Sequence, residues 1–483
     1  MNEEIALALD KNKISLHLLP YETPHFSEKM DRRLLKLSPF FEPNQETVNF
    51  HIRHQWPPNF KKPPQGDLIL MQPWEFGSLP IEWVDHSSDV REFWAYSSFV
   101  KKIYSLSGIP EEKIFIIPGG IGEQFVPGGE KIDLPTKKSF RFLYVGGLIP
   151  RKGFDLLLRA YLEEFKPEED VCLVVRDFYY ASQWKEEIKN LSQRKDIPEI
   201  LHYTTYLLPF QIPNLYRACH VYVHPYRGEG FGLPILEAMA CGLPTITTGF
   251  GAALDFCHSG NAYLIPAKLS CLEEKHIGEH ETIDFPFWAE PDLETLKKLM
   301  RRLFLNRMEA CHRGLLASQE ISREWTWNRT AEIIAKRLES LKHGEKRDFP
   351  LVSPTATRSY VQKYNEMPIS LEKTGEGKAS YEALKGWDWL EKGELEKAEV
   401  IFSKLISLQG WAGEGFYGMA QIAQAKNEKS QALTLLEKAV EVYPYHILAW
   451  RHLAKLADSL GLFEKAFMAS LESRRGLAYY KPE

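Results

Sequence analysis

The residues best suited to chemistry lie between His224 and Thr248, in the stretch HPYRGEGFGLPILEAMACGLPTITT. Two carboxylates, Glu229 and Glu237, stand with seven residues between them, and the first sits among Gly228, Gly230 and Gly232. An ionised carboxylate offers acceptor oxygens only, which suits the paired hydroxyls of a sugar. The elements that must hold these groups are legible nearby. The β-rich run VYVHPY stops at the glycine turn, Pro234 opens a helix through Ile235, Leu236, Glu237, Ala238, Met239 and Ala240, and Gly242 closes it. Proline near a helix start and glycine past its end is the expected asymmetry. Strand, tight turn and helix leave unpaired N–H groups and a positive dipole end beside a loop that can approach a ligand closely, an arrangement suited to a phosphate. An anion cradle between two hydroxyl-accepting carboxylates fits a nucleotide sugar, with a sugar on either side of its phosphates.

The E-x7-E spacing within GEGFGLPILEAMACGLP resembles the donor-site signature of the retaining glycosyltransferases of family 4 (group 1). The resemblance implies an α/β protein of the GT-B fold, two Rossmann-like domains facing a cleft. It places Glu229 on the transferred sugar as a catalytic residue and Glu237 on the nucleotide ribose. Gly230, Phe231, Gly232 and Leu233 then line the donor site, the backbone at Phe231 and Gly232 facing sugar hydroxyls and phosphate. It also implies retention of configuration, with a nucleotide diphosphate sugar as co-substrate, no other cofactor and no metal. The plain alternative is a buried helix with a glycine turn and solvated glutamates.

The chain has 483 residues, which points to about two to four domains. A formal charge of −5 and a pI near 6.3 argue against nucleic acid as a partner. The six cysteines form no C-x-x-C pair, so neither a disulfide framework nor a zinc site is indicated. The opening MNEEIALALD lacks the form of a signal peptide. No apolar run approaches the ~20 residues that span a bilayer. These features imply a cytoplasmic location, or a peripheral one at the inner membrane face.

Residues 1–130 alternate short apolar runs with helical stretches, and ISLHLL, VNFHIRH, DLILMQP and KIFIIP are the strand candidates of a parallel sheet. The segment is similar to an N-terminal, acceptor-side GT-B domain that starts at its first helix, truncated by a strand and its glycine loop. His51 to Pro58 and Gln72 to Gly77 each follow a strand, where loops at the carboxyl edge of a sheet bind ligands. Glu75 is the candidate there for a sugar hydroxyl or the attacking acceptor; the alternative for both clusters, His54 included, is an aromatic-proline loop packed on the surface. Ser97 and Ser98 read as a helix cap. Gly119 and Gly120 either line the interdomain cleft or form a hinge turn.

The second half, 131–342, is the expected nucleotide-sugar domain. The strand Phe140 to Val145 meets Gly146-Gly147, then Arg151-Lys152-Gly153 before a helix. Cations at this turn can neutralise a diphosphate as it becomes a leaving group. The turn resembles the family's G-R-x-x-x-x-K-G, with Lys152 on the lysine and Gly147 in place of the arginine; Arg151 is the substitute. The family's base-supporting segment falls on Tyr206, Leu207 and Leu208. Residues 291–342 read as helical throughout, including Trp325-Thr326-Trp327, and the resemblance implies a last helix that packs back on the N-terminal domain.

From 343 to 378 the composition is polar and charged, as in a linker. In 379–483, Ala398, Ala432 and Ala466 recur every 34 residues, and GELEKA echoes GLFEKA. That period is the tetratricopeptide signature, giving three repeats, with Pro444 at the usual terminator. Such an array would present a surface to a protein partner or to a second copy of the chain. The combined reading is a glycosyltransferase acting on a glycan, lipid-linked glycan or protein acceptor. The alternatives are a degenerate glycosyltransferase serving as a tetratricopeptide scaffold, and a GT-B enzyme of another reaction, such as a phosphorylase or epimerase.

Overall fold

The computed structural model describes residues 1–19, 32–41, 48–178, 184–343, 378–408, 411–443 and 446–478. After helix α1 (Asn2–Lys11), strands β1 (Phe50–Arg53), β2 (Asp67–Met71), β3 (Glu92–Ala95) and β4 (Ile114–Ile116) form a parallel sheet in chain order. Helices α2 (Ile81–Asp85) and α3 (Ser98–Leu106) make crossovers, and Ser97 Oγ caps α3 by accepting the Val100 N–H. One expectation fails here. Ile14 to Leu19 is not a strand: Leu18 donates one backbone bond to Phe40, and Leu19 is 71% exposed. Among the described residues the stretch pairs with no strand. Strand β3 is not among the strand candidates; Trp94 and Ala95 complete it, and its four residues are all buried.

The second unit holds β5 (Phe140–Val145), α4 (Phe154–Glu164), β6 (Val171–Arg176), α5 (Trp184–Leu191), β7 (Glu199–His202), α6 (Ile212–Arg217), β8 (Val221–His224), α7 (Leu233–Ala240), β9 (Thr245–Thr248) and β10 (Tyr263–Ile265). Its six strands are parallel in the order β10-β9-β8-β5-β6-β7. Every residue of β5, β8 and β9 is buried, as in a sheet covered on both faces. The strand order reverses between β5 and β8, and the crevice beyond the carboxyl ends at such a reversal is where ligands bind.

An arm the sequence did not reveal follows: β11 (Ala267–Cys271) pairs antiparallel with β14 (Phe287–Pro291), and β12 (His276–Ile277) with β13 (His280–Glu281). It grips the N-terminal unit, with Ile283 N–H donating to Leu79 (3.0 Å) and Gly77 N–H to Phe287 (2.9 Å). Residues 291–342 are not one helical run. Helices α8 (Leu293–Leu305), α9 (Arg307–Glu324) and α10 (Trp327–His343) are broken at Asn306 and at Trp325-Thr326. The second break is imposed across the cleft: Trp325 C=O accepts the Ile121 N–H at 2.8 Å, and Ile121 bridges Thr326. Beyond it α10 packs on α1, Thr330 bonds Pro118, and Arg337 pairs with Glu92, so the last helix does return to the N-terminal unit.

Residues 344–377 of the expected linker, and Pro444, lie outside the described residues. The C-terminal part forms three helix hairpins: α11 (Lys378–Glu391) with α12 (Leu395–Ser407), α13 (Ala412–Ala425) with α14 (Lys429–Val442), and α15 (Ile447–Ser459) with α16 (Phe463–Ala478). The 34-residue period is physical. Gly393, Asn427 and Gly461 each take a left-handed turn between the paired helices, and Ala398, Ala432 and Ala466 are buried where those helices meet.

Candidate active site

Glu229 leaves the end of β8 and points back beneath the β5–β8 reversal, where it is 5% exposed. Lys152 Nζ bonds its Oε1, and His224 Nε2 donates to the same oxygen at 3.0 Å. Lys152 reaches it because the turn Pro150–Lys152 ends at Gly153, with φ +71°. A Cβ at Gly153 would stand 1.8 Å from the Pro225 carbonyl oxygen. Only glycine lets this turn lie against the end of β8.

Burial favours protonation of Glu229, but Lys152, then the His224 hydrogen bond, then Arg151 outweigh it and hold the carboxyl well below its usual range. Burial likewise lowers the basicity of Lys152, against the pull of Glu229. Burial also pushes the His224 imidazole down and keeps it neutral. The neutral ring donates from Nε2 to Glu229 and accepts at Nδ1 from the Tyr222 hydroxyl, 2.9 Å away.

Arg151 lies on the same turn and spans the two units. Its guanidinium donates to the Gly228 C=O at 2.8 Å and pairs with Glu75 at 3.1 Å. Glu75 therefore joins the cluster from the opposite wall. The walls touch: a Cβ on Gly228 would sit 2.3 Å from the Glu75 carbonyl oxygen, and Ser97 Oγ donates to Gly230 C=O at 3.0 Å. Trp74 packs along Gly230, and Phe231 is buried against Tyr96, Phe256 and Trp325. A Cβ on Gly119 would come within 2.7 Å of the Phe231 ring, so Gly119 lines the cleft, while Gly120 fits against the backbone of Thr326 and Trp327.

Glu237 lies one helical stretch further on. Gly232, with φ +98°, opens α7 without a side-chain cap. Pro234 has no N–H and the Ile235 N–H donates to the Gly232 C=O at 2.9 Å, so the N–H that the helix start can offer a ligand is that of Leu233. The Glu237 carboxyl accepts the Tyr216 hydroxyl at 2.7 Å. Burial pushes it up to about 7, against the opposing pull of that hydrogen bond. Gly147 closes β5, its C=O accepting the Tyr144 hydroxyl at 2.8 Å. Tyr206, Leu207 and Leu208 follow β7; Tyr206 is 68% exposed, and Gln211 engages both the N–H and C=O of Leu208. His54 bonds Tyr96 at 3.0 Å and Asn2, so it is packed rather than presented.

Sequence reasoning missed His224 and Tyr216 as partners of the two glutamates. It also missed Arg227, which forks onto Asp155 (2.8 Å to each oxygen) and Glu290 (2.5 and 2.9 Å) and fixes the base of the Glu229 loop. The histidine alone had a signal, a polar residue in a wholly buried strand. Among the described residues no group of three or more His, Cys, Asp or Glu could hold a metal ion, and no helix is long and apolar enough to cross a membrane.

The unit carrying these residues has known relatives. Residues 130–271 match the family model of glycosyl transferases group 1. The matched segment contains both glutamates, Arg151, Lys152 and the whole β5–β8 reversal. The chain is 29% identical over 152 residues to O-antigen chain mannosyltransferase B of Escherichia coli, covering 30% of this chain and 39% of the relative. It is 30% identical over 159 residues to mannosylfructose-phosphate synthase of Agrobacterium fabrum, covering 30% and 34%. The chain thus spans less than two fifths of either relative's length. A solved glycosyltransferase of Rickettsia africae aligns with 15% identity and a TM-score of 0.47, covering 70% of this chain and 87% of that one.

Proposed function

We propose that the protein is a glycosyltransferase of GT-B architecture that moves a sugar from a nucleotide diphosphate sugar to an acceptor hydroxyl with retention of configuration. The observation that carries this reading is the pair Glu229 and Glu237, set by one loop and helix on either side of an uncapped helix start at the strand-order reversal. Glu229, held anionic, accepts hydroxyls of the transferred sugar. Lys152 exchanges its carboxylate partner for the donor's diphosphate and, with Arg151, neutralises charge as the bond from the anomeric carbon to phosphate breaks and the bond to the acceptor oxygen forms. Protein cations in that role leave no need for a metal. Glu237 takes the ribose hydroxyls, and Glu75 contacts the sugar or acceptor from the opposite wall.

The O-antigen chain mannosyltransferase among the relatives supports a glycan acceptor, free or lipid-linked, reached from the cytoplasm or the inner membrane face. The hairpins are of the tetratricopeptide type, supported by left-handed turns recurring at 393, 427 and 461.

The test is thermal stability with UDP, GDP and ADP, for wild type and Glu237→Ala. A nucleotide at about 100 times its dissociation constant stabilises the fold by roughly 2.7 kcal/mol. Losing charge-assisted ribose bonds costs about 1.5–3 kcal/mol of that binding. A shift with one nucleotide, reduced in the variant, is expected and names the base. No shift with any of the three overturns the reading.

A further inference from the structure

A buried carboxylate takes part in joining the helical array to the donor domain. Glu414, at the start of α13, is fully buried and accepts three hydrogen bonds. Trp387 of α11 donates from Nε1 at 2.6 Å, His446 ahead of α15 from Nε2 at 3.1 Å, and His312 of α9 from Nε2 at 2.5 Å. The His446 ring is oriented by its other nitrogen, which accepts the Ala449 N–H and so keeps the proton on Nε2. Three donors satisfy a carboxylate whose burial would otherwise be costly. Two of them, with Glu414 itself, belong to the first helices of the three hairpins or their entry turns. His312 alone comes from the other side.

Helix α9 is buried all round from Leu315 to Ile321, the pattern of a helix packed between two bodies. Leu315 and Leu316 enter the two apolar clusters of the array. The opposite stripe, Gly314, Ala317 and Ile321, lies on α7 and its C-terminal turn, so close that a Cβ on Gly314 would stand 2.2 Å from the Gly242 carbonyl oxygen. Helix α7 carries Glu237.

We infer that the face formed by the first helices of the array is an intramolecular docking surface occupied by α9, and that His312 and Glu414 are positioning residues that hold α7, and through it Glu237, in place. The donor role of Glu237 rests on the function proposed above; the coupling itself does not. An outside partner or a second copy must then use other faces of the array.

His312→Phe keeps a ring against Trp387 and removes the donor from α9, while leaving Glu414 with both of its partners inside the array, so the array keeps its own support. Backbone hydrogen exchange in the full chain is the readout. Loss of a hydrogen bond to a charged group predicts exchange about tenfold faster across Leu233–Ala240, with β5 unchanged. Wild-type exchange in α7 while α9 and α13 accelerate would show the array to be a passive appendage and overturn the inference. The second readout is affinity for UDP, GDP and ADP: the nucleotide that binds wild type should bind the variant several-fold more weakly. Unchanged affinity overturns the positioning role. If none of the three binds wild type, the proposed function fails, and the exchange data still decide the coupling.

Discussion

Tyr216 is the residue whose removal tests the donor site most sharply. Its hydroxyl donates to Glu237 at 2.7 Å, and burial beside that carboxylate pushes the hydroxyl up, so it remains a donor throughout the accessible pH range. Glu237 itself sits at about 7 because burial outweighs this single hydrogen bond. Ribose hydroxyls donate to the anion, so nucleotide affinity should rise as pH climbs through 7 and level off above it. Tyr216→Phe removes a hydrogen bond to a charged acceptor, worth about 1.5–3 kcal/mol, which raises the carboxyl by about 1–2 units. The midpoint then moves to about 8–9, and at pH 7.5 the anionic fraction falls from about three quarters to between about a quarter and 3%. Affinity should drop roughly 3- to 25-fold there and recover as pH approaches 9.5. Calorimetric titration of both proteins with the nucleotide that binds wild type, from pH 6 to 9.5, measures this; the phosphate's own ionisation cancels in the comparison. An affinity loss that does not recover at high pH, or an unmoved midpoint, would refute the reasoning.

Two further perturbations address the cluster around Glu229. Lys152→Met leaves a buried carboxylate with only His224 and Arg151 against its desolvation, and removing one partner of a buried pair costs about 3–5 kcal/mol. In wild type the depressed carboxyl contributes stability that is present above its unfolded range near 4.5 and lost as pH falls below it. In the variant the carboxyl rises and protonates, so the deficit in melting temperature should be largest near pH 8 and shrink towards pH 5; an equal deficit at both would count against the pairing. Gly228→Ala drives a methyl to 2.3 Å from the Glu75 carbonyl oxygen and should cost about 1–3 kcal/mol. It should also open the Arg151–Glu75 bridge, seen as a lower melting temperature and weaker nucleotide binding. Wild-type behaviour would mean that the two walls do not meet.

The sequence by itself determined what is local. Gly232 and Pro234 mark the start of α7, Gly153 marks the turn that carries Lys152, and the 34-residue spacing of Ala398, Ala432 and Ala466 marks three hairpins, because turn and cap chemistry is written within a few residues of itself. The carboxylates Glu229 and Glu237 were legible for the same reason: their separation along the chain is their separation on one loop and helix. Contacts that cross the fold left no such trace. Lys152 reaches Glu229 across 77 residues and His312 reaches Glu414 across 102, and no spacing rule links positions so distant. Strand β3 was hidden because four buried residues run straight into a helix cap. The stretch Ile14 to Leu19 looked like a strand because apolar composition is local, while a ladder partner is not. Only the tertiary structure decided that His224 and Tyr216 set the charge states of the two glutamates. It alone placed α9 between the array and α7, since burial and pairing arise only when segments far apart in sequence are packed together.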